Sequence, residues 1–326
     1  MKKYLLLALL ALVLVIFGAC SSGADEKTAS NDATTETETK DDAEEASSET
    51  VKITHKLGEI EVAKNPEKVI VFDFGVLDTL DHFGIDVVGL PQQAVPSYLE
   101  KYAGENYENV GSLKEPDFEK IDQIKPDLII ISTRQAELYD EMSKLGPVLY
   151  VELDVNNYIE SFKENLNILG QIFDIEDEVK AEIEALDERI SAIQAKTKSL
   201  DKKALILLAN DNKASAYGPG SRYGFIHDVF GIPAVDENID ASTHGMNITF
   251  EYVLENDPDI IYVIDRSAAI GEEPSAKAVI ENDLVQKTKA AQNDDIYYLD
   301  PEVWYLSGGG VISMNKMLDE IEASLE

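Results

Sequence analysis

Two α/β lobes with mainly parallel sheets, joined by one long helix, are what this sequence predicts, and three observations carry the prediction. Apolar runs of strand length alternate with helical stretches on both sides of residues 174–200, the order expected of βαβ units. The stretch between them has Ile175, Val179, Ile183, Leu186, Ile190, Ile193 and Leu200 at steps of three and four, with Thr197 completing the series. That is one helical stripe, about 38 Å long at 1.5 Å per residue. Finally, the chain repeats itself: Phe118-Glu119, followed by Pro126-Asp127-Leu128-Ile129-Ile130, recurs 132 residues later as Phe250-Glu251, followed by Pro258-Asp259-Ile260-Ile261-Tyr262. Matching units on either side of the long stripe make it a strut between two related lobes.

The elements follow in order. Lys2 and Lys3 precede an apolar run from Tyr4 to Phe17, the pattern of a secretory signal and too short for a spanning helix. Phe17-Gly18-Ala19-Cys20 resembles a lipid-attachment box, with Phe17 where Leu is usual. Cys20 is the one cysteine of the chain, so an intramolecular disulfide is excluded. Residues 21–50 are almost all Ser, Thr, Ala, Asp, Glu and Asn, which cannot bury enough apolar surface to fold. The expected organisation is a signal peptide (1–19), a lipidated Cys20 with an acidic tether (20–50), a first lobe (51–173), the connecting helix (174–200) and a second lobe (201–326).

In the first lobe, residues 51–62 alternate as a hairpin, and 69–72, 87–90, 128–132 and 148–151 read as strands. Helices are expected from Asp73 to about Phe83, at 118–124 behind Asp117, and at 136–144 and 158–173. In the second lobe, strands are expected at 204–209, 213–217, 260–264 and 296–299. Helices are expected at 223–230, 250–255, 276–288 and 311–325, the last entered through Ser307-Gly308-Gly309-Gly310. That Gly run suits either a phosphate or a close approach of backbone.

Charge narrows the chemistry. The chain of 326 residues carries a formal net charge of −35, so nucleic acid is excluded as a partner and any anion site has to be built locally. The offset of 132 carries Arg134 onto Arg266, each just past the carboxyl end of its strand, where parallel sheets bind ligands. Arg222 stands in Gly220-Ser221-Arg222-Tyr223-Gly224, at a Gly-rich helix entrance. The chain has four arginines, the fourth being Arg189 in the strut. Three in such positions suggest directed recognition of an anion. Of the histidines, His55, His82 and His227 read as structural, whereas His244 lies in the loop Ser242-Thr243-His244-Gly245. His244 and Tyr305, also expected in a loop, suit a cation such as Fe(III) but are too few for a complete protein site. Trp304 and Tyr305 equally suit an aromatic wall. No nucleophile elbow, zinc-protease helix or Walker loop is present.

Phe72-Asp73-Phe74-Gly75, Gly111-Ser112-Leu113-Lys114-Glu115-Pro116-Asp117, Gly220-Ser221-Arg222-Tyr223-Gly224, Ser242-Thr243-His244-Gly245 and Trp304-Tyr305-Leu306-Ser307-Gly308-Gly309-Gly310 together resemble the ferric-siderophore-binding lipoproteins of ABC importers. The likeness spans residues 50–326 and is nearest to the branch that takes catecholates such as petrobactin. It implies a class III binding-protein fold: two Rossmann-like lobes joined by one long helix, with little hinge motion. It implies no catalysis and no intrinsic cofactor, Fe(III) arriving as cargo inside its chelator. By the same resemblance, Arg134, Arg222 and Arg266 hold the anionic complex; aromatic and cation–π chemistry then suits Tyr217, Tyr223, Trp304 and Tyr305 to pack on flat catechol rings. His244 and Tyr305 ligate iron that a tetradentate chelator leaves open. Glu119 and Glu251 dock on the permease dimer, which works with a cytoplasmic ATPase. The protein is then a monomer, anchored by lipid on the outer face of the cytoplasmic membrane. Other cargoes of the same fold (haem, cobalamin, a hydroxamate complex) stay open, as does a surface hydrolase for an anionic substrate.

Overall fold

The computed structural model describes residues 49–273 and 275–326. The expected signal peptide, Cys20 and nearly all of the tether lie outside the described residues. The order begins with a hairpin of β1 (Thr50–His55) and β2 (Gly58–Ala63). A five-stranded sheet follows, built from β3 (Val69–Val71), β4 (Gly89–Leu90), β5 (Glu108–Asn109), β6 (Leu128–Ile131) and β7 (Val148–Tyr150). Its order is β5-β4-β3-β6-β7, and every pairing is parallel. The second sheet holds β8 (Ala204–Asn210), β9 (Lys213–Tyr217), β10 (Met246–Ile248), β11 (Ile260–Asp265) and β12 (Ile296–Leu299), in the order β10-β9-β8-β11-β12. Here β8, β11 and β12 are parallel, while β9 runs antiparallel to both β8 and β10. The tight turn at Asp211, with φ at 54°, returns the chain directly, so no crossover helix is needed.

The sequence repeat is a structural repeat. Helices Phe118–Ile124 and Phe250–Asn256 are capped by Asp117 and Thr249, and both end in left-handed residues, Lys125 and Asp257. Each leads into the strand beside its sheet's central strand. At the start of those strands, Asp127 Oδ2 accepts from the Lys68 main-chain N–H at 2.9 Å, and Asp259 Oδ2 accepts from that of Lys203 at 3.0 Å. Glu119 and Glu251, one per lobe, are both exposed on the first turns of these helices.

The connecting helix runs from Glu176 to Thr197, shorter at both ends than expected. Asp174, at φ 57°, is the left-handed cap of the preceding helix Tyr158–Phe173, and the two helices form a hairpin tied by Lys163–Asp187 at 2.7 Å. The preceding helix belongs to both lobes. Leu169, Ile172 and Phe173 pack in the first core, and Tyr158, Ile159, Phe162 and Leu166 in the second. A boundary at residue 173 therefore does not separate two cores.

A second link joins the lobes without a covalent connection. The closing helix Val311–Ser324 starts against the first-lobe helix Phe74–His82. Asp78, fully buried, accepts from the N–H groups of Ile312 at 3.1 Å and Ser313 at 3.0 Å, and from the Tyr98 hydroxyl at 3.0 Å. Thr79 Oγ1 accepts from Val311 N–H. The Gly run is thus a place of close approach rather than a phosphate loop: a side chain on Gly310 would collide with Asp78 and with the Gly75 carbonyl. At the far end Arg189 clasps the same helix, bonding Asp319 at 2.6 Å and Glu322 at 3.0 Å.

Several expected elements differ in detail; residues 223–230 keep only the helix Phe225–Asp228, and 87–90 only the strand Gly89–Leu90. Residues 133–142 form a 3₁₀ turn, Thr133–Leu138, and then the helix Tyr139–Met142, because Ser132 and Gln135 close a capping box just past β6. Residues 276–288 give only the short helix Ala276–Ile280 and a 3₁₀ turn at Val285–Lys287, with Asn282 accepting from Leu284 and Val285 N–H between them. Tyr305 lies in a π-helical turn, Glu302–Ser307, rather than in a loop.

Candidate ligand-binding site

The three arginines come from three elements and converge on Tyr305. Arg134 stands in the 3₁₀ turn after β6, Arg222 just before the short helix Phe225–Asp228, and Arg266 opens the helix after β11. Arg134 Nη2 reaches the Tyr305 carbonyl at 3.4 Å, and Arg222 Nη2 donates to the same oxygen at 2.7 Å. Arg266 Nε donates to the Tyr305 hydroxyl at 3.1 Å. The Arg222 guanidinium also lies 4.5 Å from the Tyr305 ring centre, within cation–π range. A π-helical turn is the device that aims carbonyl and side chain of one residue at both lobes.

What the arginines lack matters as much. Among the described residues none of the three has a carboxylate within 4.0 Å, whereas Arg189 has two. Three uncompensated positive charges in a chain of net charge −35 form a local anion site against the overall field. Tyr305 registers them. Its half-burial opposes ionisation, yet the hydrogen bond from Arg266 and the charges of Arg266, Arg222 and Arg134 outweigh that, so its pKa lies below the ordinary phenol value.

The other aromatic residues do not line the surface. Trp304 is 2% exposed, stacks on Phe225 with ring centres 5.5 Å apart, and donates from Nε1 to Glu320 at 2.6 Å. Tyr217 and Tyr223 are also buried, with ring centres 4.8 Å apart. They are a floor under Arg222, whose guanidinium lies 5.2 Å from the Tyr223 ring. The expected packing of Trp304, Tyr223 and Tyr217 on ligand rings is therefore corrected: an apolar indole or phenol ring gains more from the core than from a wetted wall. Both phenol hydroxyls lack a hydrogen-bond partner among the described residues, and burial pushes the pKa of Tyr217 up to about 12.

His244 is exposed in the turn before β10, and its neighbour Gly245 lies against the Tyr217 ring. Among the described residues no three His, Cys, Asp or Glu side chains gather as a metal-holding group. His227 is buried, donating from Nδ1 to the Ile232 carbonyl at 2.8 Å, and His82 lies 3.4 Å from Glu182. The open groove of about 490 Å³ lined by Lys64, Asn65, Pro126 and Pro147 lies at the amino end of β6, away from the arginines. Sequence reasoning missed Asn210, whose Oδ1 accepts from Arg266 Nη1 at 2.9 Å.

Two α/β lobes, each with a parallel core sheet and charged groups gathered past strand ends, define a solute-binding protein of class III architecture. The chain belongs to the periplasmic binding protein family, whose profile matches residues 10–303. It is 46% identical to the petrobactin-binding protein YclQ of Bacillus subtilis (strain 168), over all of both chains. The crystal structure of YclQ superposes with a TM-score of 0.83, covering 85% of this chain and 99% of that one. The catecholate-siderophore-binding protein VctP of Vibrio cholerae is 35% identical at a TM-score of 0.80, covering 84% and 100%. The ferric-anguibactin-binding protein FatB of Vibrio anguillarum (strain ATCC 68554 / 775) is 32% identical, covering 82% and 85%.

Proposed function

We propose that this protein captures an anionic ferric siderophore of the catecholate class at the Arg134–Arg222–Arg266 cluster and passes it to an ABC permease for iron uptake. The observation that carries the reading is the convergence of three guanidinium groups, none paired with a carboxylate among the described residues, on one tyrosine. A ferric tris-catecholate centre has a formal charge near −3, which three such groups neutralise with directed hydrogen bonds. A neutral hydroxamate complex gives no reason for them. Similarity to the petrobactin-binding and catecholate-binding proteins supports the same cargo class.

The iron is cargo. Where the chelator leaves two positions open, Tyr305, a phenol of depressed pKa, and His244 are the residues proposed to fill them. Tyr305 and Arg222 also form the aromatic–cationic surface offered to catechol rings. Binding without catalysis fits a family of substrate-binding proteins. The proposed membrane attachment is through lipid on Cys20, holding the protein at the outer face of the cytoplasmic membrane as a monomer. Glu119 and Glu251, exposed and related by the repeat, are the proposed docking points for the permease dimer with its cytoplasmic ATPase.

Fluorescence titration with ferric catecholates, ferric hydroxamates and haem tests the cargo. Tight binding of the catecholates alone is expected, and preference for a neutral hydroxamate would end the reading. Charge reversal of Glu119 and Glu251 is expected to abolish uptake in reconstituted vesicles while leaving that affinity unchanged.

A further inference from the structure

We propose that Asn210 is the positioning residue of this site: its neutral amide oxygen fixes the Arg266 guanidinium for an anionic ligand without cancelling its charge. The inference rests on the anion-binding reading above. Register dictates the contact. Parallel pairing sets Ala209 of β8 beside Asp265 of β11. The next residues along the chain are Asn210, the last of β8, and Arg266, the first of the helix after β11, so the two meet at the carboxyl edge. There Asn210 Oδ1 accepts from Nη1 at 2.9 Å, while Nε is held by the Tyr305 hydroxyl at 3.1 Å.

Both anchors are uncharged. The carboxylate adjacent in sequence, Asp265, is turned the other way, accepting from Ala268 N–H at 3.1 Å and from Ser275 and Ala276 N–H at 2.7 Å each. Arg189 shows the alternative, with carboxylate anchors that leave little field for a ligand. A guanidinium meant to bind an anion has to be both rigid and unneutralised, and neutral acceptors achieve both. The repeat shows that this anchor is particular to the second lobe. Val71 pairs with Ile130 as Ile206 pairs with Tyr262, so by count Gly75 matches Asn210, but Gly75 lies in the helix Phe74–His82 against the Gly309–Gly310 backbone. Gly75 offers no side chain, and Arg134 is exposed, holding only the Tyr305 carbonyl among the described residues.

Asn210→Asp is the direct test, because it keeps the acceptor oxygen in place and adds a charge. Asn210→Ala, which only removes the anchor, is the companion, and melting curves check that both fold. With ferric tris-catecholate as probe, Asn210→Asp is expected to weaken binding by about tenfold or more, and further than Asn210→Ala. Asn210→Asp is also expected to flatten the salt dependence of that binding, because it cancels a local charge, whereas Asn210→Ala leaves the salt dependence unchanged. Catecholate binding by Asn210→Asp as tight and as salt-dependent as by the unmutated chain would overturn the proposal. An unmutated chain that ignores every ferric catecholate would sink the ligand reading, whereas one that binds them and is indifferent to both substitutions would sink only the neutral anchor.

Discussion

The Asp78 carboxylate caps Ser313: the N–H of Ser313 donates to Oδ2 at 3.0 Å, so a first-lobe side chain holds the start of the helix that closes the second lobe. Burial raises the pKa of Asp78 from 3.8 to about 7, against the lowering effect of its hydrogen bonds from Ser313, Tyr98 and Ile312. A carboxyl that titrates near 3.8 when unfolded and near 7 when folded binds its proton more tightly in the native state. Its contribution is therefore full below about pH 4 and is lost as pH rises through about 7. Urea unfolding across that window should show stability falling relative to Asp78→Asn, by at most about 4 kcal/mol. Parallel pH profiles for the two proteins would refute the assigned shift.

Much of this architecture was legible in the sequence, for physical reasons that differ by element. The repeat was visible because Pro126-Asp127 and Pro258-Asp259 each start a buried strand and bond the same main-chain position in each lobe. The arginines were visible because the chain has so few and strand ends are where ligands bind. Trp304 was misread because an aromatic residue beside a functional one carries no sign of which way its ring turns. In a π-helical turn neighbouring side chains diverge, Tyr305 outward and Trp304 into the core. Asp78 and Asn210 were missed because the partners that define their roles, Ile312 and Ser313 for Asp78 and Arg266 for Asn210, are distant in the sequence. Only the pairing of lobes and strands reveals them.

The three arginines should contribute unequally to binding. Arg222 and Arg266 are half-buried and held by short bonds, whereas Arg134 is exposed and reaches Tyr305 at 3.4 Å. Water and salt screen the exposed charge more. Replacing Arg222 or Arg266 by Ala should cost about 1.5–3 kcal/mol of affinity for a ferric catecholate, roughly 10- to 100-fold, and Arg134→Ala less. Isothermal titration at two salt concentrations measures this order, and an Arg134 effect larger than the other two would contradict it.

Trp304 should behave as a core residue. It is the single tryptophan, sandwiched on Phe225 and bonded to Glu320. Trp304→Phe keeps most of the ring and leaves the Glu320 acceptor without its donor. It should lower unfolding free energy by about 1–3 kcal/mol while changing ligand affinity little, because Trp304 offers almost no surface. Emission of the native protein should be blue-shifted and move red on unfolding. A large affinity loss with unchanged stability would place the indole in contact with ligand after all.

Gly310 supplies the sharpest test of how the lobes are held. A methyl group there would overlap the Asp78 carboxylate and the Gly75 carbonyl, and backbone cannot step aside as a flexible side chain can. Gly310→Ala should therefore destabilise the fold by about 1–3 kcal/mol or more. It should also weaken ligand binding, since the turn carrying Tyr305 leads straight into this junction. Gly84→Ala is the control. Gly84 has φ at 70° with open space around it, so only backbone strain of about 1–2 kcal/mol is expected, with affinity unchanged. Denaturant titrations and ligand titrations on both variants decide the matter. If Gly310→Ala lost no more stability than Gly84→Ala and bound ligand normally, the connecting helices alone would hold the lobes, and the Asp78 junction would be dispensable.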